Sequence, residues 1–331
     1  MRRLEDLDRA KGLAILLVVF GHLVARADPA GVEWYEPLRR AVYAFHMPFF
    51  LYLSGMVAAY SGAVHAPPAQ WGAHAAARAR RLLVPFFAMG ALVLALKLAA
   101  CGAVFVDNAP SGWRAGVDGL FWETAACPAR SVWYIFVLFV YGLAAPVLVW
   151  AGQGRLYWLL AAAFLVYLLP LPARVYADDC GRYAVFFALG VAAGAAGPRW
   201  LLVVDRYWRA LAWLFGAMLG WVVARGDYVS FPVTLFFTGV IAMPVLHGFV
   251  RTFRDSAALI FLWLGRYSFM IYLFNTLFIG FAKGLLLRVT DWDGAHFLPF
   301  AVALALSGTL GPVALKRVAF RRSAVLDRLT N

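Results

Sequence analysis

Apolar residues run along this chain in long blocks, divided by short clusters of proline, glycine and charge. Blocks near 20 residues are what an α-helix needs to cross a hydrocarbon layer. Reading them against the turn and charge clusters predicts ten membrane spans, at about 10–27, 41–62, 82–101, 131–151, 156–172, 182–197, 208–224, 231–250, 259–282 and 297–315. Several are shorter than the roughly 20 residues of a perpendicular helix. The fifth and sixth are divided by Pro170, Pro172, Asp178 and Asp179. The longest polar-leaning interval, about 102–130, holds a turn-rich stretch from Asp107 to Gly112. Gly119-Leu120-Phe121-Trp122 follows it and is placed at the membrane interface. With no internal repeat and no low-complexity linker, residues 1–331 read as one all-α membrane domain, a polytopic helix bundle.

Composition agrees. Hydrophobic residues make up 64% and charged residues 14%, against ~45–50% and ~25% in soluble domains. That excess excludes a soluble enzyme, a disordered chain and a collagen-like fibre. A membrane β-barrel is disfavoured, because its lipid-facing and lumen-facing residues alternate.

The net charge of +13 changes the picture by giving it a direction. No zinc-finger, helix-turn-helix or RNA motif accompanies it, so nucleic acid is not an expected partner. Basic residues at helix ends mark topology instead. Eighteen Lys and Arg fall on one side, at Arg2, Arg3, Arg9 and Lys11, at Arg78, Arg80 and Arg81, at Arg155, around 199–209, at Arg251 and Arg254, and in the tail from Lys316 to Arg328; ten fall on the other. The richer side is expected in the cytoplasm, with both termini there and the chain in the plasma (bacterial inner) membrane. Ala25-Arg26-Ala27 resembles a cleavage site after a signal peptide, but Glu5, Asp6 and Asp8 interrupt the basic region. The first helix is expected to be retained. Cys101, Cys127 and Cys180 fall at the outer ends of spans, where one disulfide or three separate thiols are both compatible; no metal-ligand spacing is present.

Ionisable groups inside a membrane are costly and usually functional. In the first span, Lys11 and His22 are eleven residues apart, which places them on one helix face about 16 Å apart along the axis. The ordinary alternative is a His bonded to a neighbouring helix and a Lys snorkelling to the interface. The second span begins Tyr43-Ala44-Phe45-His46-Met47-Pro48, putting His46 near the outer surface at a depth like that of His22. Pro48 frees a backbone carbonyl and can open the helix. Ser54-Gly55 permits close helix contact, and packing alone is its ordinary reading. Before the third span, Arg78, Arg80 and Arg81 follow the positive-inside bias; they also suit the phosphates of a nucleotide-bearing donor.

Together these residues resemble the acyltransferase-3 family of integral membrane O-acyltransferases. Its first helix looks like Leu7, Asp8, Lys11, Gly12, Ala14 and His22; its second like Met47, Pro48, Phe50, Ser54 and Gly55; its third like Arg80, Arg81, Leu82 and Pro85. Trp133-Tyr134 is similar to an aromatic pair opening a later helix, and Leu264-Gly265-Arg266-Tyr267-Ser268-Phe269 with Tyr272-Leu273 to a late motif. That motif often ends in His, where this chain has Asn275.

The resemblance implies transfer of a short acyl group, usually acetyl from acetyl-CoA, to a hydroxyl of a cell-surface glycan or a lipid-linked sugar. Acyl-CoA is then a co-substrate, and no bound cofactor is expected. Many relatives append an extracytoplasmic hydrolase-like domain; none is read here, so this chain is expected to work alone or with a separate partner. O-acylation needs a base for the hydroxyl proton, and a neutral imidazole suits that. His22 is the first candidate and His46 the second. An oxyanion donor is open among Ser54, Tyr52, Asn275 and backbone amides. Lys11, Arg78, Arg80 and Arg81 are expected to hold the donor. A transporter or flippase for a lipid-linked sugar is the rival reading, and a membrane scaffold a third; neither explains the Lys11–His22 spacing.

Overall fold

The computed structural model describes residues 5–24, 31–101, 108–225, 232–253, 256–323 and 326–327. Arg2, Arg3, Arg26, Asp107, Arg254 and Arg328, and the stretch resembling a cleavage site, lie outside them. Among the described residues the chain is helical, and one isolated bridge between Glu123 and Arg174 is its nearest approach to a sheet. The helices are α1 (Glu5–Gly21), α2 (Tyr35–Tyr43), α3 (His46–Tyr60), α4 (Trp71–Arg78), α5 (Val84–Ala100), α6 (Trp113–Phe121), α7 (Trp133–Ala151), α8 (Leu156–Tyr167), α9 (Ala177–Ala196), α10 (Pro198–Arg225), α11 (Pro232–Thr252), α12 (Ser256–Leu286) and α13 (Phe297–Val318).

Among the described residues, seven helical stretches are long and apolar enough to cross a membrane: Tyr35–Tyr60, Pro68–Ala100, Arg130–Ala151, Pro198–Arg225, Pro232–Thr252, Ser256–Leu286 and Phe297–Arg322. Each of the ten expected runs is overlapped by a helix, but α1, α8 and α9 fall outside that set of seven. The bounds also move. The third run begins well before 82, because α4 continues into α5 through a π-helical turn at Ala79–Leu83. The seventh begins at Pro198 rather than 208, so Arg199, Asp205, Arg206 and Arg209 ride on a helix of 28 residues.

α3 lies at the centre. Eleven of its residues are buried, on every face, as expected for a helix apolar all round. It meets α9 backbone to backbone: a Cβ at Gly55 would strike the Phe187 carbonyl, and one at Gly190 the Tyr52 carbonyl. Small residues are what let membrane helices approach this closely, so packing accounts for Gly55. A second glycine contact joins α1 to α12, where a Cβ on Gly12 would meet the Phe261 carbonyl and one on Gly265 the Asp8 carbonyl. At the bundle edge α10 presents apolar side chains outward, with Trp213 84% and Leu202 70% exposed. In water that surface would be unfavourable; against lipid tails it is not.

Candidate active site

The site begins where α1 stops. The expected span ran to 27, yet the helix ends at Gly21 and His22 stands in the turn beyond it, its N–H on the Val19 carbonyl at 3.0 Å. The reason lies in α2. The Tyr35 hydroxyl donates to the Phe20 carbonyl at 2.5 Å, and the Tyr43 hydroxyl to the Gly21 carbonyl at 2.8 Å. A helix C-terminus leaves such carbonyls without partners; two tyrosines supply them.

His46 opens α3. Its Nδ1 lies 2.9 Å from the Val42 carbonyl, and its ring lies 5.0 Å from that of Tyr43. The break in the second run falls at Ala44–Phe45, before Pro48 rather than after it. Pro48 sits in the first turn of α3, where its missing N–H is not needed. The carbonyl it cannot serve, that of Ala44, lies 2.9 Å from the Thr238 hydroxyl, which also lies 2.7 Å from Thr234 O.

From the far end of the sequence α12 brings Asn275, fully buried. Its Nδ2 is 2.9 Å from the Ile271 carbonyl and 2.8 Å from that of Tyr272, and its Oδ1 is 2.7 Å from His22 Nδ1. The α1–α12 glycine contact makes this meeting possible. Ser54 stands further off. Its hydroxyl donates to the Phe50 carbonyl at 2.9 Å, so the Tyr134 hydroxyl, 2.6 Å away, is the donor between those two. The Tyr134 ring meets Tyr272 edge-on at 5.3 Å. Ser54 is thus joined to His22 only through a chain of unlike contacts: the Tyr134 hydroxyl, the Tyr134 and Tyr272 rings, and Asn275 between the Tyr272 carbonyl and His22. Next to Asn275, the Thr276 hydroxyl lies 3.4 Å from that of Ser131.

The basic candidates belong to another part of the molecule. Lys11, eleven residues before His22, pairs with Asp8 at 3.4 Å. Arg78 is half-buried, its Nε on His74 Nε2 at 2.8 Å and its guanidinium filling the space where a Cβ on Gly142 would go. Arg80 and Arg81 are exposed on the π-helical turn. Wide turns of this kind re-aim side chains and are frequent at functional sites. Nearby, Trp71 meets Trp150 edge-on at 5.6 Å, and Trp150 lines an open cleft of about 670 Å³ with Val64, His65, Pro67, Pro146 and Gln153.

A cluster around His247 had no sequence signal. Tyr52, an oxyanion candidate by sequence, turns away from His22: its hydroxyl receives Trp200 Nε1–H at 2.6 Å and meets His247 Nδ1 at 3.0 Å. His247 is fully buried, and its Nε2 lies 3.5 Å from Asp6 Oδ2. Arg251 donates to Asp6 at 2.9 Å and grips Asp205 with two bonds of 2.7 Å. Burial pushes the Asp6 carboxyl up, but His247 and Arg251 outweigh it and hold Asp6 at about 2 against an ordinary 3.8. Cys101, Cys127 and Cys180 are free thiols, Cys127 lying 3.3 Å from the Tyr176 hydroxyl.

Fold and site define a multi-pass α-helical membrane protein with an imidazole and a buried amide joined between distant helices. The profile described as an acyltransferase domain matches residues 4–317, nearly the whole chain, so the chain belongs to the acyltransferase-3 family. It is also similar to the nodulation protein NolL of Mesorhizobium japonicum, 36% identical over 94 residues, covering 28% of this chain and 24% of the relative. Against NolL of Sinorhizobium fredii the identity is 37% over 95 residues, covering 28% and 25%. The chain thus matches about a quarter of the length of these relatives. No solved structure matches it.

Proposed function

We propose that this acyltransferase moves an acetyl group from acetyl-CoA to a hydroxyl of a cell-surface glycan or its lipid-linked precursor, in the plasma (bacterial inner) membrane. The observation that carries the reading is His22, a partly exposed imidazole at a helix end, held by Asn275 at 2.7 Å. His22 takes the proton of the acceptor hydroxyl as its oxygen attacks the thioester carbonyl. The tetrahedral intermediate then collapses, the C–S bond breaks, and the imidazolium returns its proton to the departing thiolate. His46 is the second candidate base. The basic end faces the cytoplasm, where acyl-CoA is made. Arg80 and Arg81, exposed, with Arg78 and Lys11, offer charge to its phosphates. The pantetheine arm carries the thioester from there toward His22. Ser54 and Asn275 line the route, and the acceptor comes from the opposite face.

The test is transfer of radiolabelled acetyl from acetyl-CoA in membranes carrying His22→Ala. Loss of transfer is expected; transfer at the unaltered rate overturns the assignment. Replacing Arg80 and Arg81 together with Gln should raise the KM for acetyl-CoA, and an unchanged KM overturns the donor-end reading. Release of free CoA by purified protein separates an acyltransferase from a flippase, which would release none.

A further inference from the structure

The hydrogen bonds of Asn275 determine more than its identity suggests. Carbonyl oxygens only accept. The Ile271 and Tyr272 carbonyls, 2.9 and 2.8 Å from Nδ2, therefore claim both amide hydrogens. The amide cannot turn over without setting its oxygen against two carbonyl oxygens in a fully buried position. Its Oδ1 is thereby committed to His22, 2.7 Å away. That oxygen also only accepts, so His22 Nδ1 must carry the hydrogen. A neutral imidazole protonated on Nδ1 has its lone pair on Nε2. No other hydrogen bond engages the His22 ring among the described residues.

We infer that Asn275 is a positioning residue that holds the His22 ring with its proton on Nδ1 and so presents Nε2 as the base. The inference rests on the acyl-transfer reading of His22 and adds to it which nitrogen reacts and what selects it. A neutral amide suits the role. It aims the ring and fixes the tautomer, as the carboxylate of a hydrolase triad does, while bringing no full charge into the membrane interior. Among the described residues, the charged and titratable groups flanking His22 are Arg39, paired with Glu36 at 2.5 Å, Tyr35 and Tyr43, all from α2, and His46 from α3; none of these is a carboxylate free of an arginine.

The proton can be located without activity. Full-length protein is labelled with ¹⁵N-histidine in detergent micelles at neutral pH, and the His22 signals are assigned by their absence from His22→Gln. Long-range ¹H–¹⁵N correlation then reports which ring nitrogen is protonated. The expected result is protonated Nδ1 and bare Nε2; the reverse pattern in the wild-type protein overturns the inference. The kinetic arm uses Asn275→Asp, whose carboxylate accepts the same bond and favours the imidazolium. Its acid limb in kcat/KM for acetyl-CoA should move to higher pH, an effect that lost packing alone would not produce; an unmoved limb also counts against the role. Asn275→Ala should lower kcat by about 10-fold or more with KM for the donor kept. If His22→Ala retains transfer while the spectrum shows protonated Nδ1, the base assignment fails and the positioning of the ring stands.

Discussion

Two histidines lie deep in this bundle with opposite company. His247 is fully enclosed, set between the Tyr52 hydroxyl and the Asp6 carboxylate, with Arg251 and Asp205 completing a charged cluster. His22 is partly exposed, bonded on one nitrogen to a neutral amide that is itself held by backbone carbonyls. The first arrangement joins α1, α3, α10 and α11 at one end and leaves no approach to the ring. The second leaves one nitrogen without a hydrogen bond among the described residues. Burial of an imidazole therefore does not identify a base. What sets His22 apart is a ring held on one side and, among the described residues, without a hydrogen bond on the other.

The comparison can be broken most directly by exchanging the fates of the two rings. His22→Ala should lower kcat by about 10²–10⁴-fold, the range of a lost general base, with little change in thermal unfolding of the detergent-solubilised protein. His247→Ala should do the reverse. It leaves a cavity and strips Tyr52 and Asp6 of a partner, a loss of about 3 kcal/mol, read as a lower Tm with transfer per folded molecule retained. Equal loss of transfer in both variants would erase the distinction. A milder probe is Gly265→Ala, whose Cβ cannot fit against the Asp8 carbonyl. Overpacking there should cost about 1–3 kcal/mol, and by parting α1 from α12 it should slow transfer as well. Unchanged Tm and kcat would show that the contact does not set the His22–Asn275 distance.

The smallest effect is in pH. Because the Asp6 carboxyl is held down at about 2 from 3.8, its contribution to stability is fully present above pH 3.8 and is lost as pH falls toward 2. Integrated over that window it amounts to no more than about 2 kcal/mol. Asp6→Asn should remove that part of the acid dependence of Tm; an identical acid profile in the variant would show that the cluster around His247 is not electrostatic.

How far the sequence carried this reading depends on range. Long apolar runs and the Arg-rich loops are local signals, and they indicated an all-α membrane bundle. His22 and His46 were also visible, as polar groups in apolar surroundings, and Asn275 through its place at the end of the late motif. The end of α1 was not, because the groups that terminate it are hydroxyls of Tyr35 and Tyr43, on another helix. Nor was the pairing of His22 with Asn275, which spans 253 positions. Three arginines looked equivalent as letters. The π-helical turn separates them, burying Arg78 against Gly142 and leaving Arg80 and Arg81 exposed. Tyr52 and Ser54 are two residues apart on α3 and face different neighbours, as helical geometry requires: Tyr52 meets Trp200 and His247, Ser54 meets Tyr134.

The break between α2 and α3 has an electrical consequence. It lets the carbonyl end of α1 and the amide end of α3 arrive at one place, with His22 on the first and His46 on the second. Aligned peptide dipoles make these termini opposite in sign, roughly half an elementary charge each. A proton reaching His22 is attracted by the end it meets; one reaching His46 is repelled. The backbone alone thus gives two like side chains unlike electrical surroundings.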